Sequence, residues 1–253
     1  MQFKHPAGRL PEPPSPIADD GDESHFCGTC AFSSACLAAG YHKPELAELQ
    51  CLVEHVGPFR TGGHVFRTGD PFRAIFAVRS GTVKTRMFDK DGREQVLGFY
   101  LPGEVIGLNA IYPEHFPCDA VALDTACFCR FSFPAMSALA ARLPALQQQL
   151  FRMLSKELGS ASLLAGDHSA DERVGAFLVD LANRYAARGF SGTRFHLSMS
   201  RSDIANYLRL AAETVSRVVT RFRAQQLIRI EGREIELLNP AGLQQLGRAL
   251  LRD

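Results

Sequence analysis

Cys27, Cys30 and Cys36 place three soft sulfur ligands within a ten-residue stretch. Their Cys-x2-Cys-x5-Cys spacing on an irregular, Gly-containing segment suits binding of a zinc ion or an iron–sulfur cluster, because each further thiolate gains from a loop already closed. Three ligands do not complete a tetrahedral site, so a fourth must come from elsewhere. Cys51, Cys118, Cys127, Cys129 and His25 are the candidates. Cys127 and Cys129 lie two apart on an expected strand, where alternation puts both on one face and cannot separate them. Cys51, on the apolar side of an expected helix, reads as a small buried hydrophobe.

A second constellation lies between Ser200 and Phe222, where two short helices meet at a tight connection. Ser202 or Ser200 can cap the first helix, Ile204, Ala205 and Leu208 face inward, and Leu210-Ala211 starts the turn. In the second helix Val215, Val218, Val219 and Phe222 form the expected buried side. Glu213, Ser216 and Arg217 stand at i, i+3 and i+4 and share another face. That face can read bases: Arg217 reaches guanine O6 and N7, Glu213 accepts from cytosine N4, and Ser216 touches a neighbouring base. Arg209, Thr214, Arg221 and Arg223 are placed as phosphate contacts, which position a protein without specifying sequence. An ordinary amphipathic hairpin with solvated charges is the competing reading. Against it stands the β-hairpin expected over Ile228 to Leu238, turning at Glu231-Gly232-Arg233, which completes the element order of a winged helix-turn-helix.

The elements that must hold these groups follow from periodicity. Residues 1–24 are rich in Pro, Asp and Glu and read as a flexible arm. Glu45 to Val56 repeats apolar groups at helical spacing, ending at Gly57-Pro58. From about residue 59 to 133, short alternating or β-branched runs separated by Gly-containing turns predict an antiparallel roll or sandwich. Lys90-Asp91-Gly92-Arg93 reads as a hairpin tip. Phe133 to Ala165 reads as one helix, with Leu139, Leu143, Leu146, Leu150, Met153, Leu154, Leu158 and Leu163 as an apolar stripe that needs a partner. Gly166-Asp167-His168-Ser169 is the candidate hinge, followed by an amphipathic helix from Ala170 to Arg188.

With 253 residues and 46% hydrophobic content, the chain can bury two cores without disulfides or metals. The net charge of +1 hides an asymmetry. Residues 1–166 carry 15 Lys/Arg against 17 Asp/Glu, and residues 167–253 carry 13 against 10, so the basic excess sits beside the helix pair. No stretch approaches the roughly 20 apolar residues of a membrane span, and a cytoplasmic location is expected. The seven cysteines are then reduced thiols or metal ligands. No nucleophile elbow, phosphate loop or paired-carboxylate pattern points to an enzyme.

From Cys27 to about Asn239 the chain resembles the FNR (fumarate and nitrate reduction regulator) branch of the cyclic AMP receptor protein superfamily. The residues carrying the resemblance are Ala77-Val-Arg-Ser-Gly-Thr-Val-Lys84, Glu94-Gln-Val-Leu-Gly-Phe99, Arg188-Gly-Phe-Ser191 and Glu213-Thr-Val-Ser-Arg217. It implies an α+β fold: an N-terminal β-roll sensor domain of the jelly-roll, cyclic-nucleotide-binding type, a long dimerisation helix, and a C-terminal winged helix-turn-helix. The expected segments are a flexible arm over 1–24, a cluster-binding segment over 25–43, the roll over 44–134, the dimerisation helix over 135–166 and the DNA-binding domain over 167–253. The resemblance further implies an oxygen-labile [4Fe–4S] cluster that promotes dimerisation and DNA binding when oxygen is low, and that oxygen converts to [2Fe–2S]. Matching Ala122-Leu-Asp-Thr-Ala-Cys-Phe-Cys129 to the family puts the fourth ligand at Cys129, beside Cys27, Cys30 and Cys36. It makes Glu213, Ser216 and Arg217 the base-reading trio for a two-fold symmetric double-stranded DNA site with half-sites like TTGAT. Leu143, Leu146, Leu150, Met153, Leu154 and Leu158 become the homodimer stripe.

RNA polymerase is an expected partner, with Asp89, Lys90, Asp91 and Arg93 either its contact or a plain solvated turn. Two rival functions remain. A cyclic-nucleotide regulator on the same fold needs an Arg-Ser pair for the phosphate, where this chain has Pro117-Cys118 after its Gly103-Glu104 turn. A redox protein in which the cluster itself does the work leaves the helix-turn-helix without a purpose.

Overall fold

The turn signals between residues 53 and 132 close eight strands into two facing sheets. A computed structural model describes residues 27, 30, 32, 36–39, 48–163 and 166–251, with the backbone alone for 160–163. The arm over 1–24, most of 25–43 and His25 lie outside the described residues. One sheet has the order β1 (Val53–Phe59), β8 (Ala126–Ser132), β3 (Ala74–Ser80), β6 (Val105–Ile106). The other runs β2 (His64–Phe66), β7 (Asp119–Ala122), β4 (Val83–Phe88), β5 (Glu94–Tyr100). Gly81 shows why a glycine is needed between β3 and β4: its φ is 79°, and a Cβ there would meet the Thr125 carbonyl oxygen at 2.5 Å.

Two expectations fail here. Of the helix expected over Glu45 to Val56, residues 45–47 lie outside the described residues, 48–50 are helical, and the rest gives way to the strand Val53–Phe59. Pairing with β8 in the register Val53↔Phe131 to Val56↔Phe128 supplies ladder bonds that a short isolated helix cannot match. The single helix from Phe133 to Ala165 is two: α1 (Phe133–Ala140) and α2 (Pro144–Leu163). Pro144 disfavours helical geometry at Leu143 and lacks the N–H a continuous helix requires, so it opens a new helix.

After the hinge, α3 (Ala170–Ala186) starts at a Ser169 capping box closed by Glu172. It is followed by β9 (Arg194–His196), α4 (Arg201–Tyr207), α5 (Ala212–Ala224), the hairpin β10 (Ile228–Glu231) and β11 (Glu234–Leu237), and α6 (Pro240–Gly247). The wing sheet has the order β10-β11-β9.

Three apolar cores result among the described residues. Between the two roll sheets, Phe66 stacks on Phe116 at 3.8 Å, Phe76 meets Phe128 edge-on at 6.3 Å, and Phe59 meets Phe128 edge-on at 5.4 Å. On the outer face of the β1-β8-β3-β6 sheet, Ile75, Phe131, Met136, Leu139 and Leu146 are buried together with Leu37, Ala38 and Leu49. The third core fills the C-terminal half, but Val96, Phe99 and Leu101 of the roll belong to it. The two halves share a core.

Candidate nucleic-acid interface and metal centre

Ser200, not Ser202, caps α4. Its Oγ accepts from Asp203 N at 3.0 Å, and Asp203 Oδ2 accepts from Ser200 N at 3.1 Å. The connection to α5 turns at Leu208 and Arg209, the latter at φ 56°, and Leu210 N donates to Ala205 O at 2.9 Å. Arg173 is a residue the sequence did not disclose: from α3 it donates to Leu208 O at 3.1 Å and Gly166 O at 2.8 Å, tying this turn to the hinge.

On α5, Val215, Val218, Val219 and Phe222 are buried, as their spacing requires. Glu213 and Arg217 project from the opposite side, 86% and 74% exposed, with Arg217 Nη2 3.6 Å from Glu213 Oε2. Ser216 is half-buried between them, and its carbonyl accepts from Thr220 Oγ1 at 2.9 Å. Thr214 is half-buried and Arg209 exposed. Arg221, exposed in part, is engaged by Asp171 at the start of α3, through Nε at 3.2 Å and through Nη2. The arrangement offers one polar face with a guanidinium and a carboxylate at its centre and cations on its flanks, which is what reading base edges between phosphates requires.

The cysteines divide by environment. Cys27, Cys36 and Cys129 pack against the outer core of the β1-β8-β3-β6 sheet, near Phe131. Burial and then the Cys36 and Cys27 sulfurs push the Cys129 thiol up to about 12, against Arg79, with Cys30 adding to the rise. Burial pushes Cys36 up to about 11 despite amide donation from Leu37 and Ala38, and Cys27 is raised by burial and by Cys30. These four sulfurs therefore lie within one another's field. Gln149 Nε2 on α2 donates to Cys36 O at 3.3 Å, linking this segment to the helix. Cys118 is separate: it is buried between the roll sheets, where Asn109 Nδ2 donates to its Sγ at 3.4 Å. Cys51 is exposed, and Cys127 shares the Cys129 face but pairs with Ser80 at the far end of β8. Among the described residues, no three His, Cys, Asp or Glu side chains stand at the spacing of a formed single-ion site.

The expected dimer stripe also divides. Leu146 is fully buried within the chain, and Leu143, Leu150, Met153 and Leu154 pack in part against the same outer core. Leu158 is 73% exposed and Phe151, which the stripe omitted, 60%. Phe151 lines a shallow groove of about 550 Å³ with Gln148, Arg152, Ser155 and Lys156.

Two profiles match the chain: the Crp-like helix-turn-helix domain over residues 172–246 and the cyclic nucleotide-binding domain over residues 57–142. Transcriptional activator protein Anr of Pseudomonas protegens is 42% identical over 220 residues, 86% of this chain and 90% of that protein. The fumarate and nitrate reduction regulatory protein of Escherichia coli is 36% identical over 223 residues, 87% of this chain and 89% of that one. The chain belongs to the fumarate and nitrate reduction regulator family. Among solved structures, FixK2 from Bradyrhizobium japonicum is 28% identical with a TM-score of 0.69, covering 77% of this chain and 96% of that one. As a member of the family the chain is a DNA-binding transcription regulator. No described helix is long and apolar enough to cross a membrane.

In this family member the Gly103-Glu104 turn has a partner the sequence did not reveal. Glu104 Oε1 accepts from Arg184 Nε of α3 at 2.9 Å and pairs with Nη2 of Arg188, in the turn after that helix, at 2.8 Å. Burial alone raises the Glu104 carboxyl, but the two guanidiniums outweigh it and hold it at about 2. Lys84 pairs with Glu94 at 2.8 Å and with Asp203 of the α4 capping box, and Asn206 Oδ1 accepts from Val96 N at 2.6 Å. Ser198 Oγ donates to Asp124 Oδ2 at 2.7 Å. None of these pairs is shorter than 74 residues in sequence apart from Lys84 with Glu94, so no local pattern announces them.

Proposed function

We propose that this regulator responds to oxygen or redox state through a [4Fe–4S] cluster held by Cys27, Cys30, Cys36 and Cys129. The observation carrying this reading is that Cys129, distant in sequence, lies against the same apolar core as Cys27 and Cys36 and within the field of all three arm sulfurs. Cys27, Cys36 and Cys129, whose thiols are raised by burial and by neighbouring sulfurs, are poor thiolates by themselves, and a cationic, thiophilic centre removes that penalty, so the donor set fits the group. When bound, the cluster would supply an oxygen-labile link among the thiolates of Cys27, Cys30, Cys36 and Cys129.

The chain's own residues do the rest. Loop closure over Cys27, Cys30 and Cys36 fixes the segment that meets α2 through Gln149 and the buried Leu37 and Ala38. α2 then presents Phe151 and Leu158 for pairing with a second copy, while Leu143, Leu146, Leu150, Met153 and Leu154 seat it on the roll. Two α5 helices enter successive major grooves about one DNA turn apart. Glu213, Ser216 and Arg217 read TTGAT-type half-sites, and Arg209, Thr214 and Arg221 contact phosphates, Arg221 exchanging Asp171 for DNA. The working segments are 1–24, 25–43, 44–134, 135–166 and 167–253, in the cytoplasm, with RNA polymerase meeting the exposed Asp89–Arg93 tip.

Anaerobic reconstitution with iron and sulfide tests the reading. The expected result is about four irons per chain and a visible absorption lost in air, with tight binding to a TTGAT palindrome that weakens steeply with salt. One zinc per chain that survives air overturns the sensor reading and leaves DNA binding standing.

A further inference from the structure

The cysteine segment touches the DNA-reading half directly. Phe32 lies two residues after Cys30 and four before Cys36, and its ring centroid is 6.0 Å from that of Phe190, the planes inclined by 34°. Phe190 follows the end of α3, where its N donates to Tyr185 O at 3.1 Å and its ring meets Tyr185 edge-on at 6.0 Å. Tyr185 in turn stacks on Phe195 of β9 at 5.2 Å, and Phe195 is buried in the core behind α4 and α5. Four rings thus run from between two cysteines to the core that supports the reading helices. Centroid separations of 4.5–7 Å at inclined geometries are those at which aromatic pairs attract beyond simple burial. Arg184 in the last turn of α3 and Arg188 just beyond it grip Glu104. The roll and the cysteine segment therefore hold one helix end by two unlike contacts.

We propose that Phe32 is the docking residue through which the cysteine segment grips the DNA-reading half, so that the state of the cysteines reaches α4 and α5 through Phe190 as well as along α2. What the signal is rests on the cluster reading above; the contact does not. The chemistry favours the assignment. At most about 3.6 Å of chain per residue separates Phe32 from Cys30, so fixing the Cys30 and Cys36 sulfurs keeps the Phe32 backbone within about 7 Å of Cys30, and freeing them releases it. Phe190 is 49% exposed even with Phe32 against it, so it presents a large apolar surface that a docked ring covers in part. Confinement on one side and an open aromatic face on the other make the contact dependent on how the segment is held.

The chain contains no tryptophan, so Phe190→Trp in the full-length protein introduces a single fluorescent reporter at the contact. In the thiol form, adding Phe32→Ala is expected to raise acrylamide quenching of that reporter about twofold, and Phe32→Leu to raise it less. In the iron-loaded form, Phe32→Ala is expected to leave iron content unchanged and weaken DNA binding about two- to tenfold, the span of one aromatic pair. Phe190→Ala should give the same loss, and the double variant no further loss. Quenching indifferent to Phe32→Ala overturns the docking, and strictly additive losses overturn its role in transmission. Failure of the unsubstituted chain to take up iron overturns the cluster reading instead, while the quenching comparison still decides the docking.

Discussion

Arg184 on α3 donates through Nε to Glu104 Oε1 at 2.9 Å, joining the DNA-reading half to the turn that follows β5. Both side chains are largely buried, at 17% and 13% exposure, and Arg188 completes the group. A carboxylate removed from such a set leaves two buried cations short of a counter-charge.

Glu104→Gln is therefore expected to cost about 3 kcal/mol at pH 7, read by urea unfolding. The sign with pH follows from the depressed carboxyl. Its ordinary value is 4.5 and its folded value about 2, so the stabilisation is complete above pH 4.5 and fades as pH falls toward 2. The gap between the unsubstituted chain and Glu104→Gln should close over that window. A gap that does not change with pH would contradict the ion-pair account.

Arg217→Ala should weaken binding to the palindromic site by about 1–3 kcal/mol and relax preference at one base pair, measured by competition with single-base variants of the DNA. Arg209→Ala, by contrast, should weaken all sequences alike and lower the salt slope by about one. If Arg217→Ala lost equally on every sequence, its guanidinium would be a phosphate contact.

Leu146 and Phe151 lie on one helix with opposite surroundings. Leu146→Ala empties a fully buried site and is expected to cost about 2–5 kcal/mol in thermal or urea unfolding. Phe151→Ala removes an exposed ring; sedimentation should show a weaker dimer, while the unfolding free energy of the dilute protein changes by less than about 1 kcal/mol.

The cysteines offer a similar contrast. Cys129→Ser should abolish the visible absorption of the reconstituted protein, and Cys127→Ser should keep it. Cys118→Ser should also keep it while lowering stability, since that sulfur is buried among the roll phenylalanines. Retention of full absorption by Cys129→Ser would move the fourth ligand elsewhere.

What the sequence disclosed was what depends on neighbours a few residues apart. The buried face of α5 follows from Val215, Val218, Val219 and Phe222 alone, and the wing from two β-branched runs about Gly232. The strand Val53–Phe59 was hidden because its apolar residues continue a helical spacing by coincidence, and only pairing with β8 distinguishes the two. The division at Pro144 was legible in principle, since proline opens helices, but the leucine spacing on both sides outweighed it. Alternation left Cys127 and Cys129 equivalent, and what separates them is which residues cover each end of β8. The grip of Arg184 and Arg188 on Glu104 spans 80 residues or more, and a charged residue on a helix looks the same in sequence whether it meets water or a distant carboxylate.

The core that takes Val96, Phe99 and Leu101 from the roll into the C-terminal half bears on modular exchange. The two matched profiles suggest a cut between residues 142 and 172, with the reading half transplanted onto another sensor. Such a graft would leave three large apolar side chains uncovered on the donor and an unfilled socket on the recipient. A transplant that retains its fold must carry the β4–β5 ribbon with it, so the unit of inheritance for DNA specificity is wider than the unit that touches DNA.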